Sequence, residues 1–274
     1  RAAALRARAR TLRAAIRRWA WDGHWFNMGY TDDGQVVGSR RCRQGKFFLI
    51  NQVWAVIAGV ATPEQQRRLF RAIDTKLPTP YGPLMNDKPF TRIDKSIGTL
   101  TFLAVGMNEN AAMYMHTAGF KTTADGVAGR GDELYRDLTR VLPYRHDPAV
   151  TLLEPFALTN FYRPPFVRRK YGATHRSWCT TAHNWLLLSI VEGLMGVRAT
   201  HDGIEINPAL PRGWKVAHLR RVLRGAAYDF EIRNPCRTGR GVRELWLDGQ
   251  RVQGNLLPWP AGKGRHTVTV VLGG

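Results

Sequence analysis

The sequence predicts a mostly α chain in two parts, helical over residues 1–198 and a small antiparallel β domain over 199–274. Three observations carry that reading. Several segments before residue 195 repeat apolar residues at helical spacing. After Met195 and Gly196 the pattern turns to apolar–polar alternation, the mark of half-buried strands. With 274 residues, 44% of them apolar and nine of them Trp, the chain is long and apolar enough to bury a large core.

Residues 1–20 read as a helix whose Leu5, Leu12, Ile16 and Trp19 form a core-facing stripe, with arginines on the outer face. Trp21, Asp22, Gly23, Trp25 and Phe26 make an aromatic turn, and polar or basic loops follow at 31–34 and 38–43. Residues 47–59 are apolar and helical. Thr62 and Pro63 then cap and start a helix that runs to about Leu77. Residues 78–108 hold four prolines with no sustained period, a loop long enough to be functional. Helices are expected over 109–127 and 132–142, separated by Gly129, Arg130 and Gly131. Another is expected over 154–162, then a Pro- and Arg-rich loop over 163–177 and an apolar helix over 178–194. Strands are expected over 203–207, 227–232, 244–247 and 266–271, with Asp248 and Gly249 as a hairpin turn.

Lys and Arg total 41 against 21 acidic residues, a formal charge of +20. That balance favours polyanionic or phosphorylated partners. Nucleic acid is nevertheless not the expected partner, because the arginines are scattered and no recognition motif accompanies them. Cys42, Cys179 and Cys236 are few, odd in number and in no metal-ligand spacing, which points to free thiols in a reducing cytoplasm. No apolar run approaches the ~20 residues of a membrane span. Arg1 rather than Met stands first with a helix already running, so a piece of a longer polypeptide is expected. Phosphate-binding loops, dinucleotide fingerprints, zinc spacings and nucleophile elbows are all missing from the sequence. Two polar clusters remain. One spans 106–116 and brings together Glu109, Asn110, Tyr114 and His116. The other spans 178–183, where Thr180 and Thr181 start a helix that could offer hydroxyls and N–H groups to an anion.

These clusters, with their neighbours, resemble the C-terminal half of the inverting glycoside phosphorylases of the cellobiose and chitobiose phosphorylase family, glycoside hydrolase family 94. The matching segments run in order along the chain. They are 21–26, 45–56 with Asn51, Gln52 and Trp54, Ile97-Gly98, 106–110, 152–156, 178–181, 193–198, 202–208 and 224–228. The resemblance implies the later part of an (α/α)6 barrel followed by a small β domain. It also implies phosphorolysis of a β-glucosidic bond, with inversion, to a sugar 1-phosphate. Inorganic phosphate is then a co-substrate and no cofactor or metal is needed. By position in the family, His116, Thr180 and Thr181 would hold phosphate, and Glu109, Tyr114 and Gln52 would face the sugar. No catalytic residue is expected within the chain, because the general acid of the family is an aspartate in an Asp-Trp-Asn-Asp-like motif upstream of the matched region. The fragment alone is expected to be inactive, and the whole protein cytoplasmic and possibly homodimeric. Two departures stand out: Thr181 where the family has glycine, and Ala111-Ala112 where it has Gly-Gly. The alternatives are a degenerate relative that binds sugar or phosphate without chemistry and, last, a basic nucleic-acid binder.

Overall fold

The computed structural model of the protein describes residues 1–177, 180–259 and 262–273, with Thr180 and Thr181 described by their backbone only. The elements in order are α1 (Ala2–Ala20), β1 (Gly29–Tyr30), β2 (Val36–Val37), α2 (Leu49–Ile57), α3 (Pro63–Lys76), β3 (Pro78–Thr79), β4 (Gly82–Pro83), β5 (Met113–Tyr114), α4 (Met115–Val127), α5 (Gly131–Val141), α6 (Pro148–Thr151), β6 (Thr159–Tyr162), β7 (Thr174–Ser177) and α7 (Thr180–Leu188). Eight strands follow: β8 (Val197–Ala199), β9 (Gly203–Ile206), β10 (Val216–Leu223), β11 (Ala226–Arg233), β12 (Val242–Leu247), β13 (Gln250–Val252), β14 (Leu256–Pro258) and β15 (Arg265–Leu272). Two compact units result. The first comprises residues 1–124 and 137–183, the second 125–136 and 184–274. The second unit thus begins within the stretch read as helical, taking in 184–198 together with the strands.

In the first unit, helices alternate with small antiparallel sheets. The aromatic turn after α1 is built on Asp22, whose Oδ1 accepts from the N–H groups of His24 and Trp25 and whose Oδ2 accepts from Ser39 and Arg40. Phe26, Phe47, Phe48 and Leu49 are buried beside it. Gln52, wholly buried on α2, clasps the Phe26 backbone, accepting from its N–H at 3.0 Å and donating to its carbonyl at 2.9 Å. Helix α3 starts where its sequence says it should. Thr62 Oγ1 accepts from Gln65 N–H while Gln65 Oε1 accepts from Thr62 N–H, and Pro63 takes the first turn.

Three expectations are overturned here. Helix α1 forms, but Leu5, Leu12 and Trp19 are 59, 61 and 65% exposed, and no residue of the helix is buried. It docks through its basic side instead. Arg13 Nε donates to the Ala58 carbonyl at 3.1 Å, and Arg17 reaches the carbonyls of Gly59 and Val60. These carbonyls lie just past the C-terminal end of α2, where backbone acceptors need partners and cations are favoured. Secondly, the helix expected over 109–127 begins only at Met115, because Asn108 (φ 44°) and Ala111 (φ 65°) take left-handed backbone conformations that end any helix. Thirdly, 154–162 ends in strand β6, not a helix. Its Phe161 and Tyr162 are fully buried while β6 pairs with β5 on one side and β7 on the other. The helix expected from Trp178 is described from Thr180 onward, and it widens to a π-helical stretch over Ser189–Leu194. Trp178 and Cys179 lie outside the described residues.

The second unit holds a five-stranded sheet of order β10-β11-β15-β12-β13 and a three-stranded sheet of order β14-β9-β8. Alternate residues Tyr228, Phe230 and Ile232 of β11 and Val268, Val270 and Leu272 of β15 are buried, as the period-two pattern requires. The β domain was expected to be antiparallel throughout, but β11 and β15 pair in parallel, so the larger sheet is mixed. Asp248 (φ 50°) and Gly249 (φ 79°) form the β12–β13 hairpin turn. No helix among the described residues is long and apolar enough to cross a membrane.

Candidate active site

The 106–116 stretch is a tight loop followed by one strand residue pair and a helix start. Gly106 N–H donates to the Asn110 carbonyl at 2.8 Å, and Asn110 N–H to the Met107 carbonyl at 2.9 Å. Glu109, half-buried, sits at the tip of this turn. Gly106 is required twice over. Its φ is +78°, and a Cβ there would lie 2.5 Å from Val167 and 2.9 Å from Pro164. Asn110, fully buried, accepts from Phe90 N–H at 2.8 Å and donates to the carbonyls of Phe90 at 2.9 Å and Leu103 at 2.8 Å. It fixes the loop to the far end of the long 78–108 segment. Ala112 gives its carbonyl to Met85 N–H, so the next residues are held as well.

Strand β5 then carries Tyr114, and α4 carries His116 in its first turn. The two rings are 5.4 Å apart, His116 is 6.4 Å from Phe120, and Phe120 meets Trp54 edge-on at 5.2 Å. A row of rings thus runs from Tyr114 to Trp54, and Trp54 keeps 37% of its surface exposed. Burial holds the His116 imidazole below its ordinary pKa, partly offset by the carboxylate of Glu109. At neutral pH the ring is therefore uncharged, with one N–H to donate.

The geometry of the small sheet links the two polar clusters. Strands β5 and β7 both pair antiparallel with β6, Tyr114 opposite Phe161 and Phe161 opposite His175. They therefore run in the same direction and leave the sheet at the same end. One feeds α4, whose second residue is His116. The other leads within three residues to Thr180, the start of α7. Two strand spacings set β5 and β7 themselves roughly 10 Å apart. The first-turn N–H groups of each helix have no partner within it. The backbone at Thr181 is helical, a conformation that needs no glycine, so the residue keeps its N–H in position. The side chains of Thr180 and Thr181 lie outside the described residues.

Three of the sequence candidates, Glu109, Tyr114 and His116, therefore lie together, and Thr180 and Thr181 follow β7 along the chain after Trp178 and Cys179, which lie outside the described residues. Gln52 does not join them, since both ends of its amide are spent on Phe26. Sequence reasoning missed the clamp made by Asn110, although its place beside Glu109 in a matched segment was a usable signal. It also missed Phe120, whose only signal was its spacing of four from His116.

Residues 1–196 match the catalytic domain of the glycosyl hydrolase 94 superfamily, and the chain belongs to this family. It is 35% identical over 264 residues to a solabiose phosphorylase of Paenibacillus borealis, covering 94% of this chain and 34% of that protein. It is 34% identical over 266 residues to a 3-O-beta-D-glucopyranosyl-beta-D-glucuronide phosphorylase of the same organism, covering 96% and 34%. With a cellobionic acid phosphorylase of Neurospora crassa the identity is 33% over 225 residues, covering 80% and 28%. The chain thus spans about a third of the length of these relatives.

Proposed function

We propose that this chain is the C-terminal part of the catalytic module of a glycoside phosphorylase, and that the whole protein cleaves a β-linked disaccharide with inorganic phosphate. The observation that supports this best is the common direction in which β5 and β7 leave their sheet, β5 running into α4 with His116 and β7 leading three residues on to the start of α7. A phosphate between the two helix starts would meet free N–H groups and positive dipole ends, with the imidazole N–H beside them. The substrates in the relatives' names set the range of sugars: solabiose, a glucuronide and cellobionic acid.

The reaction needs little from these residues beyond positioning. A phosphate oxygen forms the new bond to the anomeric carbon as the glycosidic C–O bond breaks, and the departing oxygen takes a proton from a general acid. Because phosphate is already an anion, no base is needed to activate it, unlike water in an inverting hydrolase. Attack from the face opposite the leaving group inverts the centre, so a β-linkage gives an α-sugar 1-phosphate. His116 and the first turn of α7 hold and orient the phosphate. Glu109 and Tyr114 bind sugar hydroxyls. The general acid is an aspartate upstream of Arg1, so residues 1–274 alone turn over nothing. The same reading carries an (α/α)6 barrel completed by upstream helices, no cofactor, a cytoplasmic location and a homodimer of the full-length protein.

The test is phosphate-dependent release of sugar 1-phosphate by the full-length protein from a panel of β-disaccharides. We expect product only with phosphate present, and a loss of about 10²-fold or more in kcat/KM for phosphate in His116→Ala. Hydrolysis to free sugars without phosphate would overturn the reading. So would a His116→Ala protein of undiminished phosphorolysis.

A further inference from the structure

We propose that Asn160, on β6, is a positioning residue for the sugar side of the candidate site: through Asn108 it sets the direction of Glu109. The inference rests on the phosphorylase reading and deepens it. Glu109 is half-buried, and among the described residues its carboxylate makes no hydrogen bond and no ion pair. It is free to meet a sugar hydroxyl, and its aim is set by the turn that carries it.

Asn108 and Glu109 are the two central residues of that turn, which the Asn110 N–H closes by donating to the Met107 carbonyl. Asn108 takes a left-handed φ of 44°, a conformation that asparagine tolerates better than most residues. The base of the turn is fastened by the Gly106–Asn110 hydrogen bond, by the Asn110 amide and by the close approach of Val167 and Pro164 to Gly106. The tip is fastened from β6. Asn160 Nδ2 donates to Asn108 Oδ1 at 3.1 Å, and the Asn108 side chain has no other hydrogen bond among the described residues.

Asn160 stands where such a tether matters. Strand β6 runs against both β5 and β7, so it enters their sheet at the end where they leave it. Asn160 is its second residue, just before Phe161, which pairs with Tyr114. The preceding Thr159 is fully buried and donates from Oγ1 to the Arg176 carbonyl at 2.9 Å, which fixes β6 to β7 there. The strand between the two exits thus holds the turn that aims Glu109. Displacing a reacting group by about 1 Å costs about 10²-fold in rate, so losing one tether of this kind has a measurable effect.

The experiment uses the full-length protein with inorganic phosphate and a panel of β-disaccharides, with binding of each followed separately by calorimetry. Two variants cut the same bond. Asn160→Ala removes the donor, and Asn108→Gly removes the acceptor while leaving the left-handed backbone unstrained. We expect each to lower kcat/KM for the disaccharide about tenfold, with phosphate affinity within about twofold of wild type. In a Glu109→Ala background, Asn160→Ala should cost less than about twofold more, because the group that it positions is gone. Effects of Glu109→Ala and Asn160→Ala that multiply would overturn the proposal, as would an equal loss of sugar and phosphate binding. An active wild type with undiminished kcat/KM in both variants overturns the tether and leaves the phosphorylase reading intact. Disaccharide binding that weakens in both variants, with no turnover by any protein, supports the tether and overturns the phosphorylase reading. Neither binding nor turnover overturns both.

Discussion

Asn110 has no exposed surface and makes three hydrogen bonds through its amide, to Phe90 twice and Leu103 once. Replacing it with Ala would leave two carbonyls and one N–H unpaired in the interior, at about 1–3 kcal/mol for each group that water cannot reach. Asn110→Ala should therefore destabilise the protein by about 3 kcal/mol in urea denaturation, and lower activity with it. A loss under ~1 kcal/mol would mean that the loop is held in some other way. At this scale the sequence was informative about residue types and silent about backbone. Glu109, Tyr114 and His116 stood out because polar and titratable groups crowd into a few positions. The left-handed Asn108 and Ala111 did not, since a run of small residues reads as helix unless tertiary bonds override it. Ala111-Ala112, within the helix expected over 109–127, in fact occupies the bend before β5.

Elements defined by their own ends were legible. Thr62 with Gln65 announced α3, and Asp248-Gly249 announced the β12–β13 hairpin, because each signal is complete within a few residues. Elements defined by partners were not. Strands β6 and β7 exist because of each other and β5, and the parallel β11–β15 pair joins segments more than thirty residues apart. The stripe on α1 was read correctly as a period and wrongly as a core face, because carbonyls beyond α2 draw in its arginines. The segment between α5 and α6 carries a pH dependence of its own. His146 packs against Tyr81 and Tyr162, with ring centroids 4.4 and 5.5 Å away, and its Nε2 donates to the Arg140 carbonyl. Burial holds it below its ordinary value, partly offset by that hydrogen bond, while Arg145 lowers it further. The unfolded chain thus takes up protons first as the pH falls. Stability is full above the unfolded value of about 6.5 and is lost as the pH drops from there toward the lower folded value, and His116 acts in the same direction. Tm should therefore fall between pH 7.5 and 5.5. In His146→Gln, which keeps a donor, the fall should be smaller. An equal fall in both proteins would contradict this account.

For the whole molecule, the charge of +20 proved a weak guide. Some of the arginines are paired within the fold. Arg212 pairs with Asp132, Arg198 with Glu205, and Arg220 and Arg265 with Asp229. Arg41, Arg43 and Arg92 instead share one cleft, between residues 35–44 and 90–97, with no ion-pair partner among the described residues. Order along the chain was the stronger signal. Many short matches in sequence pointed to family 94, and the match over residues 1–196 bears that out.

The central claim is that one phosphate is held between His116 and the start of α7. Calorimetric titration of the full-length protein with inorganic phosphate, near pH 7 and in two buffers of different ionisation enthalpy, tests it most directly. A phosphate dianion beside a neutral imidazole raises the ring's affinity for a proton. The account predicts binding at one site with proton uptake, and in His116→Ala binding about tenfold or more weaker with that uptake gone. Phosphate binding of equal strength and equal proton uptake in both proteins would contradict it.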